Sequence, residues 1–153
     1  MTTHVRVSQP DHLFDAELRY QEGMPPVALP TGDMTLVGSG TGEVYGPRIR
    51  GMLRWSNFEQ VLGDHCRLNV VGTIETDDGA EIRFDSQGFA VPAEPGLPWW
   101  HVAAAARFTV QDSRYSWMQA LTATWQGEFD PSSATARYRA YIWRSGEDVL
   151  ASR

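Results

Sequence analysis

Residues 65–76 and 80–90 alternate in side-chain character at every step, and Asp77-Asp78-Gly79 joins them. An Asp-Gly pair between two alternating runs is a strong short-range signal for a β-hairpin. A period of two also demands extended backbone, because successive side chains of a strand point to opposite faces. The rest of the chain follows suit. Fourteen glycines and nine prolines punctuate it at short intervals, which is the spacing of strands and turns.

Residues 13–20, 34–45, 49–55, 117–125 and 135–143 read as further strands. Segments 23–33, 92–98 and 127–133 read as loops, and 56–63 as a short turn or helical loop. Residues 99–110 are ambiguous: four alanines favour helix, and the aromatic and β-branched flanks favour strand. Gly38, Gly40 and Gly42 share one strand face that has no side chains to pack, which marks a bend, a bulge or a close backbone approach. The reading is all-β, with about eight strands, no long helix, and the spacing of a barrel or sandwich.

The 153 residues suit one domain. The expected division is a flexible start over 1–11, the domain over 12–145 and a tail over 146–153. The net charge of −6 argues against nucleic acid, whose binders usually carry a basic patch. All thirteen basic residues are arginine, so no lysine is present for Schiff-base chemistry. The lone Cys66 excludes an internal disulfide. The polar first ten residues suggest no signal peptide. No run approaches the ~20 apolar residues of a membrane helix. A cytoplasmic protein without membrane contact is expected.

Familiar motifs fail. Gly38-Ser39-Gly40-Thr41-Gly42 is not G-x-G-x-x-G and opens no helix. No H-E-x-x-H occurs, the four histidines are scattered, and neither metal nor cofactor is expected. Polar strand faces are more informative. His65, Arg67, Asn69, Val71, Thr73 and Glu75 share one side of the long strand; Cys66, Leu68, Val70, Gly72 and Ile74 share the other. The first set is either a solvated outer face or the polar lining of a barrel. His101 and Arg107 share a face of the next run, and Trp117 and Gln119 share another.

Aromatics that bury a ligand and a few polar groups that orient it suit a small organic molecule. His101, His65 and Glu75 are the groups available for proton transfer. Arg50 and Arg107 could steady developing negative charge. The candidate catalytic residues are therefore His101, Glu75, Arg107 and Arg50. Asn69, Gln119, Trp99, Trp117 and Tyr45 are the candidate substrate-binding residues. Cys66 reads as a small hydrophobe, and Asp77 and Asp78 as turn residues.

Gly46-Pro47-Arg48-Ile49-Arg50-Gly51, then Gly72 through Gly79, then Arg107-Phe108 and Tyr115-Ser116-Trp117 occur in an order that resembles the DUF3237 (UPF0311) family over roughly 12–144. The resemblance implies an eight-stranded antiparallel β-barrel with a central pocket, similar to the allene oxide cyclase barrel. It also implies small-molecule chemistry of the lyase, isomerase or cyclase type. Asn69, Val71 and Ala103 stand where the family tends to carry charged residues, which implies a more apolar pocket.

The favoured function is cofactor-free isomerisation, cyclisation or elimination of a hydrophobic, polyketide-like or aromatic substrate. The alternatives are a lipocalin-like binding barrel without chemistry, or a protein–protein module. A homodimer is also plausible.

Overall fold

The computed structural model describes residues 10–23, 27–28, 33–94 and 96–143. Its strands are β1 (Pro10–Gly23), β2 (Val27–Ala28), β3 (Met34–Tyr45), β4 (Arg50–Leu62), β5 (His65–Thr76), β6 (Glu81–Pro92), β7 (Trp100–Val110), β8 (Thr122–Asp130) and β9 (Thr135–Trp143). A 3-10 helix over Ser113–Met118 interrupts the series before β8. Every pairing is antiparallel and links neighbours in sequence from β2 to β9. β1 pairs with both β9 and β3, so the sheet closes on itself. The eight long strands form a barrel, with two-residue β2 as an appendage beside β3.

Strict alternation separates inside from outside. Leu53, Trp55, Asn57 and Glu59 of β4 are buried while Met52, Arg54, Ser56 and Phe58 are exposed. Barrels of this size are filled by side chains. Here Phe14, Leu53, Ile74, Ile82, Phe108 and Trp125 form the centre of the core. Phe14, Phe84 and Tyr138 all pack their rings against Trp125 at centroid distances of 5.2–5.8 Å. The glycine face of β3 lies inward: a Cβ at Gly40 would overlap the Arg19 carbonyl oxygen and come within 2.7 Å of the Trp55 ring. The missing side chains let β1 and the large rings of Tyr20 and Trp55 share that side of the barrel.

Several sequence expectations need correction. Residues 56–63 are not a turn or helical loop, because β4 runs on to Leu62. Residues 117–121 are not strand: the 3-10 helix and the turn after it occupy them, and β8 starts at Thr122. The ambiguous run resolves as strand β7, because its alanines pair on both sides with β6 and β8. The expected tail 146–153, residues 1–9 of the expected flexible start and most of the 23–33 loop lie outside the described residues.

One end of the barrel is closed by the 3-10 helix. Asp112 caps it by accepting from the Arg114 backbone N–H, in the usual N-cap manner. Met118 and Tyr115 sink into the core from it. The Tyr115 hydroxyl also donates to the Asp78 carboxylate at 2.9 Å, which ties the helix to the 77–79 turn. Gly79 sits there at φ +89°, a conformation glycine adopts without strain.

Candidate functional site

The opposite end gathers the ends of β4, β6 and β8 and the starts of β5, β7 and β9, and among the described residues there lies a cavity of about 250 Å³. Leu36, Val61, Leu68, Ala90 and Val102 supply its aliphatic wall; Tyr20, Trp100, Phe129 and Tyr138 supply rings; Glu59 and Cys66 supply the reactive groups. The volume lies between the ~150 Å³ that holds benzene in a dry protein cavity and the ~300–1,000 Å³ of drug-sized sites. It suits a molecule of one or two rings. Larger hollows exist on the outer wall, such as one of about 600 Å³ between Phe58 and Phe89. They are broad depressions among mostly exposed side chains, and the enclosed mouth is the better ligand site.

Glu59 is the decisive group. It is 8% exposed, and no basic side chain pairs with it among the described residues. Burial raises its carboxyl above the ordinary 4.5, while hydrogen bonds from Asn57 and Cys66 partly oppose the shift. The Cys66 thiol donates to Glu59 Oε2 at 3.9 Å. Burial and the nearby acid push that thiol up to about 12, so it stays protonated and is no nucleophile. Burial likewise raises the Tyr20 and Tyr138 hydroxyls. Asn57, 4% exposed, donates from Nδ2 to the Tyr20 hydroxyl at 3.0 Å. Its Oδ1 has no hydrogen-bond partner among the described residues. The mouth is therefore an apolar chamber whose one carboxyl is held towards its neutral form. Burial favours its protonated form, so it keeps its proton to higher pH than an exposed glutamate does.

The residues singled out from the sequence are not in this chamber. His101, Glu75, Arg107, Arg50 and Asn69 are exposed on the outer wall. Of the two readings of the polar face of β5, the solvated outer face is the one observed, because Cys66, Leu68, Val70 and Ile74 fill the inward positions. Gln119 lies in the turn after the 3-10 helix, where its side chain accepts from the Val110 N–H at 2.8 Å. Trp117 lies in the helix itself, and the Arg48 guanidinium covers its ring at 3.7 Å. Tyr45 and Trp99 are exposed. Arg107 and Gln119 share a shallow hollow of about 480 Å³ on the outer wall, and none of the nine lines the cavity at the barrel end.

Sequence reasoning missed Tyr20, Asn57, Glu59 and Tyr138 as site residues. The available signal was the two-residue period of Leu53, Trp55, Asn57, Glu59 and Val61. It carries two polar groups along a face that begins apolar. Among the described residues no three His, Cys, Asp or Glu side chains cluster as metal ligands. No helix among them is long and apolar enough to cross a membrane.

These features define an antiparallel β-barrel, plugged at one end, with an acid-bearing apolar cavity at the other. The chain belongs to DUF3237, a family described as proteins of unknown function, whose model matches residues 9–143. No curated protein matches the sequence. Among solved structures, a β-barrel-like protein from Acinetobacter baumannii is similar at TM-score 0.78 and 15% identity, covering 94% of this chain and 100% of that one. A protein of unknown function from Clostridium acetobutylicum is similar at TM-score 0.80 and 15% identity, covering 92% and 100%. A protein described as an enzyme from Penicillium herquei is similar at TM-score 0.69 and 18% identity, covering 93% and 99%. At these identities the likeness shows the shared fold.

Proposed function

We propose that the mouth of the barrel binds a compact, mostly apolar organic molecule and that Glu59 exchanges a proton with it. The reaction class is cofactor-free isomerisation, cyclisation or elimination. The observation that carries this reading is a nearly buried carboxyl with no basic partner among the described residues, at the wall of an apolar cavity of substrate size.

Each of these reactions moves a proton between atoms of one substrate or from a substrate to a base. Burial raises the proton affinity of Glu59, which suits it to take such a proton and hand it back. The rings and aliphatic wall hold the substrate in one orientation and exclude water, which supplies proximity. Tyr20, backed by Asn57, is placed to hydrogen-bond an oxygen of the substrate. The likeness to a fungal barrel described as an enzyme supports a catalytic role for the fold.

The test is a native mass-spectrometric screen of the purified protein against small ring compounds, followed by Glu59→Gln. Catalysis predicts that Glu59→Gln still binds the hits, detectably in the same screen, and no longer converts them. Equal conversion by both proteins overturns the assignment of Glu59. Binding with no conversion by either favours the carrier reading.

A further inference from the structure

We propose that the mouth selects an organic cation, an amine or alkylammonium group on a compact apolar frame, seated among the rings of Tyr20, Trp100, Phe129 and Tyr138 and paired with Glu59. This rests on the reading of the mouth as the ligand site and adds what that ligand carries.

Three observations support it. First, the four rings come from four strands, β1, β7, β8 and β9, and line one chamber; Tyr20 and Phe129 pack on each other at 5.2 Å between centroids and form a continuous aromatic wall of it. Ring faces attract a cation within ~6 Å of their centroid, more strongly once water is excluded. Second, the lining holds one carboxyl and neither arginine nor histidine. An anionic ligand would enter with no partner, which is costly in an apolar site. The net charge of −6 also favours the approach of cations.

Third, Glu59 has no cationic partner among the described residues. The titratable groups that act on it are Cys66 on β5, Tyr20 on β1 and Tyr138 on β9, with the Asn57 amide on its own strand. None of them is cationic. A neutral amine entering the mouth can take the Glu59 proton: the N–H bond forms as the carboxyl O–H breaks, leaving ammonium beside carboxylate. A quaternary ammonium ion instead displaces that proton to solvent.

The experiment is calorimetric titration of the intact protein with phenyltrimethylammonium and with its uncharged carbon isostere, tert-butylbenzene. Wild type should bind the cation at least about tenfold more tightly. Glu59→Gln should weaken the cation by about tenfold or more and leave the isostere within about twofold. In buffers of different ionisation enthalpy, wild type should release protons on binding the cation and Glu59→Gln should not. Trp100→Leu, at the half-buried rim, should weaken the cation more than the isostere and serves if Glu59→Gln folds poorly. If wild type binds the isostere as tightly as the cation, or the preference survives Glu59→Gln, the cation site is overturned and the mouth remains a site for neutral ligands. If wild type binds neither probe, both readings fall.

Discussion

Glu59 carries a cost that pH can expose. The folded state raises its carboxyl above 4.5 by burial, so the native chain holds that proton where the unfolded chain has lost it. Below the unfolded value both states are protonated and the residue is neutral for stability. As pH rises from there towards the folded value, ionisation favours the unfolded chain and stability falls. Carboxyls such as Asp15, lowered by Arg139, act in the opposite sense, so the informative quantity is a difference. Urea melts should show Glu59→Gln matching wild type near pH 4 and exceeding it in stability at pH 8; a difference independent of pH would contradict the placement. At Gly40 a methyl group meets the backbone of β1 rather than a movable side chain. Gly40→Ala should cost about 1–3 kcal/mol or more, as overpacking does, read as a lower urea midpoint.

At the scale of elements, the two ends of the barrel divide the work. The 3-10 helix plugs one end through Met118, which is fully buried. Met118→Ala should cost ~2–5 kcal/mol, the range for emptying a core site, with the denaturant slope unchanged. Ligand binding at the far mouth should survive it in the folded fraction. Strand β4 links the ends: Leu53 and Trp55 belong to the core, and Asn57 and Glu59 to the site. Its second half was illegible as strand because polar residues occupy both faces, so the hydrophobic contrast that reveals a period of two fades after Trp55. The segment 117–121 misled in the other direction. Trp117 and Leu121 look like strand residues, yet both pack against the core from a helix and a turn.

For the whole molecule, closure is the critical event. β1 must meet β9 and β3, partners from opposite ends of the sequence. Such long-range pairing is slow to form, and until it happens two sheet edges stand open, an invitation to aggregation. Removing residues 135–153 should therefore yield aggregates, because β1 and β8 both lose a partner; size-exclusion chromatography would check this. A clean monomer with native circular dichroism would show that β9 is dispensable.

Local pattern by itself determined the all-β character, the 65–90 hairpin, most strand positions and the inert character of Cys66 as a nucleophile. These depend on period, turn chemistry and propensity, which act over a few residues. Only the closed sheet decided which face was inside, because alternation is symmetric: a strand with Asn69 and Glu75 on one side and Val70 and Ile74 on the other obeys it either way. Once β1 met β3, the apolar side had to fill the barrel, and the polar side, with His101, Glu75 and Arg107, went to solvent. Closure also carried Glu59 into the dark, and burial is what shifts its proton affinity. That burial is a sum over neighbours from other strands, Tyr20 of β1, Cys66 of β5 and Tyr138 of β9 among them, a quantity no short stretch of sequence contains.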